Sequence, residues 1–342
     1  MAVGALKYYP YRFRDIFIEK PWGGMGLATR LGKQLPSGEP IGESWEISDR
    51  DAHMSVVASG PEEGRTIREL LQADREGMLG PQVARLFPDR FPLLVKYIDA
   101  RKILSLQVHP DDTYAMENEN GEWGKMEAWY IIDAEPGAFV YRGTKPGTER
   151  KTFLRLLEEQ RLEECLSKVK VAAGDVVFIP PGCLHATGAG ILFCEIQQNS
   201  DLTYRVYDWG RMGLDGRPRE LHIEKALDVI DWDLQPGYVQ ARAGGAPGEE
   251  RRVELLLECP KFIMDRLKLP AGETNSADMT GRFHIICVIG GEGRIVCPLG
   301  NAPPVTITKG QTYLIPSALE SYEIIAEDAL VAVRAQLPRK KP

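Results

Sequence analysis

The sequence has no apolar run long enough to cross a membrane and no excess of basic residues. Its longest apolar stretches, such as residues 285–289, have the length of a strand and fall well short of the roughly 18 residues that a spanning helix needs. Lysine and arginine number 42 against 49 acidic residues, which gives a net charge of −7 at pH 7. A nucleic-acid-binding protein needs a basic face for phosphate contacts. We therefore expect neither a membrane nor a nucleic acid as a partner.

Cysteine is scarce, and no two cysteines form a C-x-x-C pair. The six cysteines mostly lie among apolar neighbours, which favours reduced, buried thiols over disulfides or a structural zinc site. The N-terminal residues MAVGALKYYPYRF lack the long apolar stretch and the small-residue cleavage site of a signal peptide. Together these features predict a cytoplasmic protein.

Glycine and proline are plentiful, with 34 and 24 residues spread along the chain. This distribution of turn-forming residues is typical of many short strands joined by turns. Helical periodicity is confined to residues 64–87, where Thr66 and Glu69 form a capping box, to residues 149–170, and to a short stretch after His222. Strands are predicted over residues 93–98, 103–108, 128–132, 175–179 and 191–197, with four or more after Phe262.

An internal repeat indicates two similar β units. GDVVFIP at residues 174–180 matches GQTYLIP at 310–316, and residues 130–137 can be laid on 286–293 with a larger offset. The difference between the offsets is about the length of the helical stretch 149–170. We therefore predict a mainly β protein with two tandem jelly rolls, of which only the first carries helical insertions.

The stretch QARAGGAPGEERR is rich in alanine, glycine and charge and has no apolar period. It predicts a domain boundary. The expected organisation is a large N-terminal domain over residues 1–240, with insertions at about 64–87 and 149–170, a linker over 241–252, and a small β domain over 253–342.

Four residues of the first unit carry atoms that bind metals. Gln107 and His109 lie two apart in a predicted strand and so point to one face. Glu127 begins the next strand-like segment, and His185 follows Pro180 at the end of another. Two imidazoles, a carboxylate and an amide oxygen can converge on Zn²⁺ or another divalent transition ion.

A lone histidine is more often a satisfied, half-buried residue than a ligand. The repeat favours a real site, because the position matching Glu127 is Phe283 and the position matching His185 is Ser321. We therefore expect a metal site in the first roll and none in the second.

The chain resembles the type I mannose-6-phosphate isomerases, metal-dependent enzymes of the cupin superfamily. The similarity covers most of residues 12–232 and is weaker after the linker, where the tail looks like the small C-terminal cupin domain of the shorter bacterial members. The motifs that carry it are KPWGG at 20–24, GESWE at 42–46, LSLQVHPD at 104–111, GKME at 124–127, IPPGCLH at 179–185 and EIQQNSDLTYRVYDWGR at 195–211. The resemblance implies two tandem cupin-type jelly rolls.

The resemblance also implies an activity. The family places its metal on the residues that correspond to Gln107, His109, Glu127 and His185, with Zn²⁺ as the expected cofactor. The implied reaction interconverts mannose 6-phosphate and fructose 6-phosphate by proton transfer through an ene-diol. The expected partner is accordingly a small-molecule sugar phosphate, and the oligomeric state is left open.

Roles for further residues follow from the same resemblance. Arg205 is expected at the reacting centre, although an ion pair with Asp201 or Asp208 would also account for it. Lys125 and Arg211 are candidates for binding the phosphate or for stabilising the ene-diolate.

Three other side chains complete the predicted site. Glu195 is a candidate proton carrier, or alternatively an acceptor that orients an arginine. Trp22 and Ser105 are candidate substrate contacts, although an aromatic residue in a strand is more often part of the core.

Two rival functions share these features. A cupin oxygenase also uses two histidines and a carboxylate to hold non-haem iron. Gln107 argues against it by filling a further coordination position, and Lys125, Arg205 and Arg211 have no obvious work in oxygen chemistry. The other rival is a non-catalytic cupin that binds a sugar phosphate, which a turnover assay would distinguish.

Overall fold

A computed structural model of the chain describes residues 6–36, 41–234, 239–240, 252–299 and 302–338. The helices are α1 (Gly26–Leu31), α2 (Ile67–Ala73), α3 (Arg75–Leu79), α4 (Pro81–Leu86), α5 (Asp112–Asn118), α6 (Arg150–Glu158) and α7 (Ile223–Val229), with 3-10 turns at Asp51–His53, Leu162–Glu164 and Ser317–Leu319. Across these described ranges, no helix is long and apolar enough to cross a bilayer.

Strands form most of the regular structure on both sides of the predicted linker. Those before it are β1 (Tyr11–Arg12), β2 (Ile16–Gly24), β3 (Ile41–Ile47), β4 (Leu93–Ala100), β5 (Leu106–Val108), β6 (Glu127–Ala134), β7 (Phe139–Thr144), β8 (Leu166–Lys170), β9 (Val176–Ile179), β10 (His185–Thr187), β11 (Ile191–Gln198), β12 (Tyr204–Tyr207) and β13 (Val239–Gln240). Those after it are β14 (Val253–Glu258), β15 (Ile263–Leu269), β16 (Thr274–Asp278), β17 (His284–Gly290), β18 (Glu292–Val296), β19 (Val305–Thr308), β20 (Thr312–Ile315), β21 (Ser321–Ala326) and β22 (Leu330–Gln336).

The strands form four sheets. Sheet S1 has the order β13-β9-β6-β11-β4-β3-β2, sheet S2 β12-β5-β10-β7-β8, sheet S3 β1-β20-β17-β22-β15-β14, and sheet S4 β16-β21-β18-β19. From β4 to β12 the chain passes back and forth between S1 and S2, and from β14 to β22 it passes between S3 and S4. Such crossing between two facing antiparallel sheets makes a jelly roll. The predicted fold class, mainly β with two tandem rolls, is confirmed.

Apolar clusters show how the layers stack. Trp129, Phe193 and neighbouring residues fill the space between S1 and S2, and Ile286 and Tyr322 belong to the cluster between S3 and S4. The outer faces of S1 and S3 pack on each other through a third cluster. Helices α6 and α7 cover the outer face of S2. Sheet S1 is therefore buried on both faces, which explains why every residue of β4 and β11 is buried.

The predicted division into domains stays a prediction. Apart from Arg252, the linker 241–252 lies outside the described residues. Strand β1, from the start of the chain, pairs with β20 of sheet S3, with Tyr11 opposite Leu314. The cluster between S1 and S3 also contains residues from both sides of the linker. Any folding unit ending at residue 240 would thus expose a large apolar face.

The helical prediction over residues 149–170 is only partly right. Helix α6 ends at Glu158, Gln160 has a φ of 56°, and Leu166–Lys170 forms strand β8, with Val169 opposite Val140 of β7. Leucines at helical spacing produced the prediction, but pairing at the edge of S2 overrides that local preference. The capping box at Thr66 and the helix after His222 are confirmed.

Candidate metal and substrate site

The sheets bring the predicted ligands together from two sides of the first roll. In S2, Gln107 lies opposite both His185 of β10 and Arg205 of β12. In S1, Glu127 begins β6, and Glu195 of β11 lies opposite Trp129. Because alternate residues of a strand share a face, Glu127, Trp129 and Ile131 all point inward, toward S2.

His109, Glu127 and His185 form a group that can hold a metal ion. Their ligand atoms lie within 4.8 Å of one another and all three residues are fully buried. Nε2 of His185 is 3.3 Å from Oε1 of Glu127, and Nε2 of His109 is 3.5 Å from Oε2. Neither ring nitrogen of His109 and neither oxygen of Glu127 forms a well-aligned hydrogen bond. Apart from Oε2 of Glu127, which forms an ion pair with Lys125 at 2.9 Å, these atoms have no polar partner in the described residues outside the group. Buried polar atoms that are left unpaired are costly, so the group fits a cation between its members.

The tautomer of His185 is fixed by its surroundings. Nδ1 lies 2.8 Å from the carbonyl oxygen of Cys183, which can only accept, so Nδ1 carries the proton and donates it. The lone pair of Nε2 is then turned toward Glu127. This is the usual way in which a protein orients a metal-binding histidine.

Burial and neighbouring charges keep His109 and Glu127 in the protonation states in which they can bind a metal. Burial, together with the charge of Lys125, lowers the pKa of His109 to about 3, so its imidazole is neutral. Burial alone would raise the pKa of Glu127, but Lys125, 2.9 Å from Oε2, and the histidines outweigh it and hold the pKa well below its ordinary value. A neutral imidazole and an ionised carboxylate are the forms that bind metals.

Gln107 stands next to this triad. Its Nε2 is 3.2 Å from Nε2 of His185 and donates to that lone pair, while Oε1 accepts a long hydrogen bond of 3.5 Å from Ser105. An amide binds a metal through its oxygen, and the two ends of an amide are exchanged by a half-turn. Gln107 thus lies within reach of the triad in either orientation.

A cavity of about 270 Å³ opens beside the triad. Of the predicted substrate and catalytic residues, Trp22, Ser105, Lys125, Glu195 and Arg205 line it. Arg205 makes neither of the ion pairs that the sequence offered: it donates from Nη1 to the carbonyl of Glu220, at 2.8 Å, and its buried Nε has no partner.

Arg211 does not line this cavity. Its guanidinium donates to the carbonyl of Ile103 and to the carboxylate of Asp208, both at 2.5 Å. The structure therefore gives no support to direct substrate contact by Arg211. Arg219, which the sequence analysis did not single out, lines the cavity and shares the carboxylate of Asp208.

Sequence reasoning also missed other polar residues of the cavity: Lys20, Glu43, Lys96, Asp201 and Thr203. Lys20 and Glu43 lie within motifs already recognised. Lys96 is the one basic residue of LLVKYIDA, in a strand buried on both faces. A lone lysine in such a strand rarely serves the core, and that signal could have found it.

The buried lysine and glutamates form one charged network. Nζ of Lys96 lies 3.8 Å from Glu43, 3.6 Å from Glu195 and 3.6 Å from Asp201. Lys20, 3.0 Å from Glu43, helps to lower the pKa of that carboxyl to about 2 against the effect of burial. Burial and the charge of Glu127 raise the pKa of Glu195 to about 7.

Glu195 is held in place by Trp129. Its Oε1 accepts a hydrogen bond of 2.9 Å from the indole Nε1, while its buried Oε2 has no hydrogen-bond partner. In the part of the chain that the structure describes, no arginine bonds to Glu195. A carboxyl with a raised pKa and one free oxygen facing a cavity can exchange a proton near neutral pH.

The second roll corrects the sequence alignment by one residue. Glu127 pairs with Ile179, directly before Pro180, and His284 pairs with Ile315, directly before Pro316. The counterpart of Glu127 is thus His284, not Phe283. A slip of one residue reverses the face of a strand, and His284 indeed lies on the same face as Ile286, in the interior of the second roll, whereas Phe283 belongs to the cluster between S1 and S3.

Comparisons with known proteins agree with this architecture. Residues 11–130 match the family described as phosphomannose isomerase type I, catalytic domain. Mannose-6-phosphate isomerase ManA of Bacillus subtilis is 37% identical over 315 residues, which are 92% of this chain and 95% of the relative. The mannose-6-phosphate isomerase of Streptococcus mutans is 34% identical over 314 residues, 92% of this chain and 94% of the relative.

Solved structures give the same result. The crystal structure of the mannose 6-phosphate isomerase from Bacillus subtilis superposes with a TM-score of 0.84 at 32% identity, covering 95% of this chain and 99% of that one. A putative mannosephosphate isomerase from Archaeoglobus fulgidus superposes with a TM-score of 0.77 at 23% identity, over 98% and 100% of the two chains, and supports the fold alone.

Proposed function

Since the chain belongs to the type I mannose-6-phosphate isomerase family, we propose that it interconverts mannose 6-phosphate and fructose 6-phosphate. The observation that carries this proposal is the buried triad of His109, Glu127 and His185, placed beside a cavity lined by cations. An aldose-ketose isomerase must polarise the sugar oxygens, move a proton between C2 and C1, and hold a phosphate. The cavity offers groups for each of these tasks.

We propose that the triad, with the amide oxygen of Gln107 as a fourth ligand, holds Zn²⁺. Two imidazoles, a carboxylate and an amide are a donor set suited to this ion. When bound, the metal supplies Lewis-acid polarisation of the carbonyl and hydroxyl oxygens of the sugar. Lys125, close to Glu127, adds positive charge where the ene-diolate would develop.

Glu195 is our choice for the proton carrier. Its Oε2, which has no hydrogen-bond partner, can take a proton from C2 or C1 and return it to the neighbouring carbon, and the pKa of about 7 places the exchange near neutral pH. The hydrogen bond from Trp129 and the ammonium of Lys96 keep the carboxylate oriented. The alternative, an acceptor that orients an arginine, lacks a contact in support.

Arg205 is assigned to charge stabilisation at the reacting centre. It lies across the S2 ladder from Gln107, and no carboxylate neutralises its guanidinium within the described residues. Ser105 and the ring of Trp22 are assigned to contacts with the sugar, because both line the cavity.

A coupled assay with mannose 6-phosphate, run beside metal analysis of the purified protein, tests the proposal. We expect turnover that a chelator abolishes and that Zn²⁺ restores. Absence of turnover in the zinc-loaded protein would favour a non-catalytic sugar-phosphate-binding protein, and oxygen consumption with Fe²⁺ would favour the oxygenase. A cytoplasmic location stays a prediction from the sequence.

A further inference from the structure

The loop 208–222 leaves strand β12 and returns to it beside the cavity. His222 donates its backbone N–H to the carbonyl of Arg205 at 2.7 Å and accepts the Arg205 N–H at Nδ1, at 3.1 Å. Within the loop, Met212 and Pro218 form an isolated bridge. These bonds fix the returning limb, which carries Arg219, against the strand that carries Arg205.

A buried carboxylate organises the arginines of this loop. Asp208 is 6% exposed and accepts from Nε of Arg219 at 2.7 Å and from Nη2 at 2.6 Å. From the other side Arg211 donates to the same carboxylate and to the carbonyl of Ile103, both at 2.5 Å. A guanidinium held by two parallel hydrogen bonds has little freedom left. Nη1 of Arg219 bonds to nothing in the described part of the chain, although the residue lines the cavity.

The balance of charge differs between the two parts of the cavity. Each lysine there lies within 4 Å of at least one carboxylate: Lys20 of Glu43, Lys96 of three acidic groups, and Lys125 of Glu127. At the loop 208–222, by contrast, Arg211 and Arg219 share one buried carboxylate, that of Asp208, and the neighbouring Arg205 makes no ion pair within the described residues. The positive charge that remains uncompensated is therefore concentrated at the loop.

We propose that Arg219 binds the phosphate of the sugar phosphate through its free Nη1 edge, and that Asp208 is the positioning residue that fixes this arginine. The inference rests on the proposed function. In a hexose 6-phosphate the phosphate is at the opposite end of the carbon chain from C1 and C2, so its binding group must be separate from the groups at the metal. A planar guanidinium matches the geometry of a phosphate better than an ammonium does.

The first test uses Arg219→Ala and Arg219→Lys. Because the phosphate is held equally in the ground state and the transition state, loss of Arg219 should raise KM for mannose 6-phosphate by about 10- to 100-fold and change kcat less than about threefold. Inhibition by inorganic phosphate should weaken by a similar factor. Lysine keeps the positive charge but lacks the planar guanidinium, so the KM of Arg219→Lys should lie between those of the wild type and Arg219→Ala. Arg217→Ala, an exposed arginine of the same loop, is the matched control and should behave as the wild type.

The second test addresses Asp208. Asp208→Asn should raise KM with little change in kcat, and the double variant with Arg219→Ala should be no worse than Arg219→Ala alone, because the two residues act as a unit. Additive effects would overturn the positioning role.

The outcomes separate this inference from the proposed function. A wild-type protein that does not turn over mannose 6-phosphate contradicts the proposed function itself. An active wild type in which Arg219→Ala keeps a normal KM and normal inhibition by phosphate contradicts only the assignment of Arg219. A fall in kcat at unchanged KM also overturns it, since Arg219 would then act at the reacting centre.

Discussion

The first and second rolls carry polar side chains at equivalent positions, but these side chains differ in whether they have hydrogen-bond partners. In the first roll Glu127 and His109 are buried with atoms that have no hydrogen-bond partner. In the second roll, His284, the counterpart of Glu127, lies 3.1 Å from the hydroxyl of Tyr322 at Nδ1 and 3.2 Å from Oε1 of Gln336 at Nε2. The amide of Gln336 in turn donates to Asp265, at 3.2 Å.

Charge is also balanced internally in the second roll. Asp265 accepts from Nε and Nη2 of Arg334, at 3.0 and 2.8 Å. The polar groups around His284 therefore satisfy one another, whereas those around Glu127 are left with capacity for a ligand. The comparison teaches that a shared fold does not imply a shared site, and that unsatisfied buried atoms are the better guide to where a ligand binds.

The largest effect is expected from His185→Ala. Loss of one imidazole should empty the metal site and lower kcat/KM by roughly 10³-fold or more, at least as much as loss of a single oxyanion-hole donor. Metal content and steady-state kinetics on the same sample check this. Ser321→Ala, at the matching position of the second roll, is the control and should keep full metal content. A metal lost from the Ser321 variant would refute the difference between the rolls.

Phe283→Ala should lower the free energy of unfolding and leave the metal content unchanged. The ring is fully buried and lies 5.0 Å from that of Phe91, between centroids. Removing a buried aromatic ring costs about 3–5 kcal/mol of unfolding free energy. Denaturant unfolding with metal analysis of the folded fraction measures both quantities. A folded variant that has lost its metal would mean that the second roll supports the site directly.

Arg205→Ala should lower kcat by roughly 10²- to 10³-fold at unchanged metal content, because its charge would act on an ene-diolate that exists only along the reaction path. Arg205→Lys should recover only part of the rate, since the planar fork is lost. A variant with normal kcat and a large KM would instead assign Arg205 to the phosphate.

The smallest effect concerns His284. Burial and the charge of Arg334 lower its pKa to about 3, whereas an unfolded histidine titrates near 6.5. Between these two pKa values, the unfolded chain binds a proton at this histidine that the folded chain does not bind. The contribution of neutral His284 to the free energy of unfolding is therefore complete above pH 6.5. It is lost as the pH falls, by up to about 1.4 kcal/mol per pH unit. His284→Gln should therefore lose less stability than the wild type between pH 7 and pH 5 in urea unfolding. Equal losses in both proteins would show that His284 titrates normally.

Much of the local structure could be predicted from the sequence. The capping box at Thr66, the helix after His222 and the strands carrying Glu127 and Glu195 are encoded by neighbouring residues, and the structure has them. Strand β8 could not be predicted in this way, because Leu166 also continues the helical spacing of the preceding leucines and its partner strand β7 decides the outcome.

The site shows the same division. The types and spacing of Gln107, His109, Glu127 and His185 predicted a metal site, since few other roles need that set of donors within strands. The exchange of Arg211 for Arg219 at the cavity could not be predicted, because both are arginines of one loop and both bond to Asp208. Only the folded loop turns Arg211 to the carbonyl of Ile103 and places Arg219 at the cavity.

The sequence by itself determined the β-rich class, the repeat and the candidate ligands, because strand periodicity, turn residues and motifs are properties of short segments. Only the tertiary structure decided which strands pair, that Glu127 corresponds to His284, and that Lys96 of β4 lies among Glu43, Glu195 and Asp201. Register and the approach of distant strands depend on the packing of whole sheets against one another. No short segment contains that information.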